Sequence, residues 1–420
     1  MKNRFLKVWK TIVRMPMFWV FVLLMAMYMP KAILMPAEND VVVVCTGVGI
    51  DKADEGIELS ILTLIPQNSL TFADSYRLVS AKAQNIALAT NQLVNYLGKR
   101  VDLAHAAYVV FGKEMCEDGI KTIIEDLVRS NDIGTNAVIM TTNVTAKEMF
   151  ETTKEFDTNS GEKVKDILYN NKRSLMDANT NIDRFYNAYL STSSCSIANM
   201  IKLVDETGEG VEAASQGGGG SGGGEGESGS SGESGSSKPK KVSNDGACSI
   251  FKNAKKVLDL EMKQTEALNL VNPDSYEARF VVENYITEEN NPIDVSFEVL
   301  GKNVKTNAKI ENGKAKIDWD IHFVLDVLGI ENETSDRVDK VPQKNFEDEQ
   351  MQQKVSDKFK IEFFEVLDLL KPDDLDCIGV GESLRRCGAK KYREFVESLG
   401  ENPNILENVE FSINISISTK

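Results

Sequence analysis

Histidine is almost missing from this 420-residue chain, with His105 and His322 the only two. Ser–His–Asp or Cys–His catalysis would need one of them as base. Each is flanked by strand-like apolar residues, the setting of a core or edge histidine. HExxH and CxxC are absent, and six cysteines, at 45, 116, 195, 248, 377 and 387, are scattered along the chain. Buried free thiols account for such spacing, and Cys377 with Cys387 is the pair to test first for a structural disulfide. Positive charge is also in deficit. The formal net charge is −16 even with a basic N-terminal flank counted. That argues against nucleic-acid binding and against a second, polybasic site on anionic lipid; solubility explains the acidity.

A second long apolar run is missing too, which isolates the one that is there. Met15–Met35 follows Lys2, Arg4, Lys7, Lys10 and Arg14. Such a flank stays cytoplasmic and places the rest of the chain outside. Met15–Met35 reaches the roughly 20 residues that span a bilayer, whereas Met15–Pro30 alone has signal-peptide length. Leu34-Met35-Pro36-Ala37 offers only one small residue for signal cleavage, and Cys45 lies too far downstream for a lipoprotein site. Residues 1–38 are therefore expected to be a basic tail and an uncleaved anchor, with a cleaved signal as the alternative.

Gln216–Lys241 is a Gly/Ser/Glu tract ending in Lys-Pro-Lys-Lys. It cannot form a core and reads as a flexible tether, either a loop insertion or a spacer, of about 25–30 Å r.m.s. span. It divides an N-terminal region (39–210) from a C-terminal one (246–420) across a linker at 211–245. Before it, strands are expected at Val41–Ile50, Ile57–Ile65, Ala106–Phe111 and Ala137–Met140. Helices are expected at Ser75–Leu97, Ile120–Val128, Ala146–Phe150 and Val164–Tyr169. After it come a strand at Ala247–Phe251, an amphipathic segment at Leu260–Val271, and alternating runs at Val295–Lys309 and Lys314–Val327. Asn312-Gly313 between those runs is the strongest short hairpin signal available. A helix at Asn345–Leu370, another at Lys390–Leu399 and a last strand at Val409–Ile417 complete an α+β chain of mixed sheets and packed helices.

Little of this carries chemistry. Gly47-Val48-Gly49 lacks the third glycine and helix of a dinucleotide fingerprint, and Gly379-Val380-Gly381 is equally short of it; turn geometry explains both. Asp318 with Asp320, and Asp373, Asp374 and Asp376, are carboxylate sets without EF-hand spacing. No catalytic residue, metal or cofactor is expected. The stripe of Phe359 and Phe363 could dock a partner or form core, and Arg129 could meet a partner or sit in a surface ion pair.

Five segments in order resemble the Ger(x)C family, the C subunits of bacterial spore germinant receptors. They are Val48-Gly49-Ile50-Asp51, the strand His105–Glu114 with its Gly112-Lys113-Glu114 end, and the helix Gly119–Arg129. The others are Ile250-Phe251-Lys252-Asn253-Ala254-Lys255 and Asp376-Cys377-Ile378-Gly379-Val380-Gly381. The resemblance covers residues 41–205 and 246–420. It implies a non-enzymatic subunit working with polytopic A- and B-type receptor subunits at the inner spore membrane, in response to small nutrients. Two features depart from the pattern: the usual lipidated cysteine is replaced by the apolar segment, and the Gly/Ser tract is unusual. A stand-alone extracytoplasmic solute-binding protein and an exported hydrolase are the rival readings.

Overall fold

Val42–Lys52 forms β1, with β2 (Ile57–Leu64) antiparallel on one side and β5 (Tyr108–Phe111) parallel on the other. A strand enclosed in this way needs apolar residues at successive positions, and Val48 and Ile50 are fully buried. The computed structural model describes residues 42–64, 76–130, 132–156, 174–178, 180–205, 240–243, 245–286, 292–331 and 349–419, and four residues near the N-terminus. Val44–Lys420 forms one compact unit and Met1–Val43 another. In the latter, Trp19, Val20, Leu23 and Leu24 are helical and more than half exposed. The rest of the expected anchor, and the expected helix at Val164–Tyr169, lie outside the described residues. Among the described residues no helix is long and apolar enough to cross a membrane.

The first sheet adds β3 (Tyr76–Ala83), β4 (Arg100–Asp102), β6 (Val138–Thr142), β7 (Cys195–Asp205), β8 (Lys240–Ser243), β9 (Cys248–Lys252) and β10 (Lys255–Leu260). Its order is β10-β9-β7-β6-β5-β1-β2-β3, with β4 beside β1 and β8 beside β7. The strands β1, β5, β6 and β7 run parallel. Around them lie α1 (Ile86–Leu97), α2 (Lys113–Asp118), α3 (Lys121–Ser130), α4 (Ala146–Phe156) and α5 (Ile182–Tyr189). The compositional break at 211–245 is not a break between sheets. Once past it the chain returns to the first sheet, where β8 and β9 both pair with β7.

One expected helix is corrected. Ser75–Leu97 is not a single helix: Tyr76–Ala83 pairs along its whole length with β2, and α1 starts only after Asn85, whose Oδ1 accepts the Leu88 N–H at 2.9 Å. Asn at an N-cap satisfies a donor that the helix leaves free.

The second sheet has the order β11-β12-β13-β14, with β11 (Arg279–Ile286), β12 (Pro292–Glu311), β13 (Lys314–Glu331) and β14 (Val409–Thr419). The β12–β13 turn puts Asn312 at φ 52° and Gly313 at φ 76°, the positive values that a tight hairpin requires. Around this sheet are α6 (Met262–Asn269), α7 (Glu349–Leu370), α8 (Val380–Cys387) and α9 (Ala389–Ser398). Val355, Phe359, Phe363, Val366 and Leu370 of α7 enter one core with Phe297, Trp319 and Phe323 of the sheet. At the C-terminal end of α6, Lys302 Nζ donates to the Asn269 and Leu270 carbonyls at 2.7 and 3.0 Å. Burial pushes its ammonium down to about 7.

Candidate functional site

The family-like motifs meet at two internal joints. Gly49 and Ile50 of β1 lie opposite Val110 and Phe111 of β5, which brings Asp51 and Gly112 together at the carboxyl ends of parallel strands. Asp51 is buried there, and its two oxygens accept the Ala146 and Lys147 N–H groups at 2.7 and 3.0 Å. Those donors open α4, so one carboxylate both caps a helix and ties it to the central strand. A Cβ on Gly112 would land on Asp51 Oδ1, and one on Gly49 would lie 2.7 Å from the Phe150 ring and 2.9 Å from Ala146 Cβ. A Cβ on Gly47, likewise, would lie 2.5 Å from the Tyr108 ring. Gly47 and Gly49 therefore serve close packing in mid-strand, which corrects their reading as turn glycines.

Desolvation pushes the Asp51 carboxyl up to about 6, against the pull of its two N–H donors. Between the ordinary carboxylate value and 6 the native state holds a proton that the unfolded chain has released, so this group's contribution to stability falls as pH rises through that window. The difference is worth about 3 kcal/mol. Urea unfolding from pH 4 to 7 should show this slope in the parent and lose it in Asp51→Asn; identical pH profiles would contradict it.

The second joint uses the same device. Asp376 is 1 % exposed, and its oxygens accept the Val380 and Gly381 N–H groups at 2.7 and 2.8 Å, capping α8. Burial raises its carboxyl above the usual range. Gly379 sits at φ 75°, so turn geometry does explain this glycine. Neighbouring Asp374 accepts the Ile405 and Leu406 N–H groups at 2.9 and 3.0 Å and lies 3.7 Å from Lys252 Nζ. Lys252 belongs to the Ile250–Lys255 motif, so that motif reaches the residue two positions before Asp376.

The remaining candidates fall elsewhere. Phe359 and Phe363 are core residues, which corrects the partner-contact reading. Phe359 meets Phe280 at 5.0 Å and Phe323 at 5.3 Å, and Phe363 meets Trp319 at 5.4 Å, all between ring centroids. Arg129 is exposed and 3.8 Å from Asp126. Cys377 and Cys387 are free thiols, not a disulfide. The Cys377 thiol turns inward to hydrogen-bond Cys195, while Cys387 is exposed at the end of α8. Burial pushes the Cys45 and Cys248 thiols up to about 12, which makes them poor nucleophiles.

On the outer face of the second sheet, Asp320 accepts from Asn307 at 3.0 Å and Asn414 at 2.9 Å, and Asp318 accepts from Ser412. Among the described residues no group of three or more His, Cys, Asp or Glu could hold a metal ion. His322 Nδ1 lies 3.0 Å from Ser416 Oγ and its Nε2 3.3 Å from Ser418 Oγ. A serine stands where a triad needs an orienting carboxylate. His105 is exposed, 3.9 Å from Asp102.

A cleft of about 320 Å³ is lined by Ala178, Ile197, Leu268, Asn269, Cys377 and Gly379, among others. Its size suits a small solute. Its amides are committed, however: Asn269 Nδ2 donates to the Leu175 and Asp177 carbonyls at 2.7 and 3.0 Å. No charged side chain lines it to recognise a zwitterion. The buried caps were hidden in the sequence because each carboxylate serves a helix that begins elsewhere in the chain or just beyond a turn.

Residues 40–203 match the spore germination protein N-terminal domain, and residues 246–419 match the spore germination B3/GerAC-like C-terminal domain. The chain belongs to the Ger(x)C family of spore germinant-receptor C subunits. Its fold is similar to the crystal structure of the GerBC protein, with a TM-score of 0.51 at 14% identity over 89% of this chain and 96% of that one. No curated protein matches it.

Proposed function

We propose that this chain is a membrane-anchored, non-enzymatic C subunit that assembles with A- and B-type polytopic subunits at the inner spore membrane, its bulk outside the cytoplasm. The observation carrying this reading is where the family-like motifs are used. Gly49, Asp51, Gly112, Asp376 and Gly381 build internal joints, which supports a scaffold that works through its surfaces. Arg129, on the outer end of α3 with its side chain 75% exposed, is one of the motif residues available to a partner. The exposed apolar residues Trp19, Val20, Leu23 and Leu24 support the anchor, because lipid is the environment that covers such a helix.

Crosslinking and affinity purification of the full-length chain from detergent-solubilised spore membranes tests the assembly. Two polytopic proteins should be recovered in near-constant ratio, and recovery of this chain alone would overturn it. Removing residues 1–38 should shift the protein to the soluble fraction and abolish the nutrient response. A soluble form that still supports germination would refute the anchor.

A further inference from the structure

The outer strands of the two sheets are not built alike. On β11, Arg279 and Glu283 are charged, the register shifts between Val282 and Tyr285, and Lys354 Nζ occupies the Glu283 and Asn284 carbonyls. On β10, Lys255, Lys256 and Asp259 accompany another register shift, between Lys256 and Leu258. Arg77 and Lys82 charge β3. Charges and bulges are the devices by which edge strands avoid pairing with a further chain.

β14 has neither beyond one residue. It runs beside β13 without a register shift from Val409 to Thr419, and Glu410 is its only charged residue. Among the described residues no strand pairs with its other edge. Its sequence Phe411-Ser412-Ile413-Asn414-Ile415-Ser416-Ile417 reads the same in both directions about Asn414, apart from the Phe/Ile end pair. Ile413 and Ile417 point into the core, Phe411 and Ile415 beside them are only partly covered, and Asn414 and Ser416 are exposed on the opposite face.

We propose that β14 is a self-complementary edge that pairs antiparallel with β14 of a second copy, about a two-fold axis at Asn414. In that register Asn414 faces Asn414 of the other copy, Ser412 faces Ser416, Ile413 faces Ile415 and Phe411 faces Ile417. Directly opposed residues share a face of the sheet. The partly covered Phe411 and Ile415 therefore meet apolar partners, and the serines and asparagines meet one another in the open. Glu410 faces Ser418, so no like charges oppose. The surface is isologous, as a two-fold interface requires, and the merged sheet would have eight strands in place of the present four.

The test is a set of single cysteines in the full-length chain, in a Cys387→Ser background that removes the exposed native thiol. Under mild oxidation Asn414→Cys should form a covalent dimer. Ser412→Cys and Ser416→Cys should each form at least about tenfold less alone, because each sits about 13 Å along the strand from its own copy. Their equimolar mixture, in which half of the dimers are mixed, should crosslink to about half the extent of Asn414→Cys. Equal crosslinking by all three singles, none by Asn414→Cys, or capture of a different protein at Ser416→Cys would overturn the proposal. As a second reading, Asn414→Asp adds a carboxylate from each copy at the axis, beside the Asp320 that faces position 414 in the ladder. It should convert the dimer to monomer in sedimentation of the detergent-solubilised full chain with its circular dichroism unchanged; an unchanged dimer would count against this interface.

Discussion

Gly112→Ala is expected to lower the free energy of unfolding by about 1.5–5 kcal/mol, read as a fall in the urea midpoint at constant slope. The added methyl has no free volume to enter, because its place is held by the Asp51 carboxylate that closes α4. Two costs combine: crowding of a packed interior, about 1–3 kcal/mol, and loss of the cap once Asp51 is pushed off the Ala146 and Lys147 N–H groups, about 0.5–2 kcal/mol. Since both run through one contact, Gly112→Ala combined with Asp51→Ala should cost clearly less than the sum of the single changes. Simple additivity would mean that the glycine is there for another reason.

Phe363→Ala should cost about 3–5 kcal/mol, the range for a large aromatic removed from a core. Phe363 is 1 % exposed and stands edge-on to Trp319 and to Phe364. A phenylalanine held for a partner would behave differently: its removal would leave the isolated chain's stability within about 0.5 kcal/mol and weaken assembly instead. Thermal or urea unfolding of the full chain separates the two, and a near-parental midpoint would return Phe363 to the surface.

Legibility in the sequence followed the range of the forces. Asn312-Gly313 was readable because the backbone angles of a two-residue turn are a property of those two residues. The phenylalanine periodicity of α7 was readable as a helix, since spacing alone fixes which residues share a face. Tyr76–Ala83 was misread because Val79 and Ala83 also fit a helical spacing. What decides its state is the ladder to β2, and the cue that could have corrected it is Asn85 as a helix cap. The inward turn of Cys377 towards Cys195, and the caps made by Asp51 and Asp376, depend on contacts between distant segments or on burial that no local pattern records. Gly47 and Gly49 show the same limit, since a glycine kept for a neighbouring ring looks like one kept for a turn.

The pairing of β8 with β7 has a consequence for the Gly/Ser tract between them. Asp205 and Lys240 are opposite each other in the ladder, so the two residues that flank 206–239, the segment holding the tract, are fixed side by side like those of a hairpin. For a chain of that composition, doubling its length adds only about 0.6 kcal/mol to the entropy of closure. Evolution can therefore lengthen or shorten this segment almost freely without disturbing either sheet, and an epitope or fluorescent reporter inserted there would inherit the same tolerance.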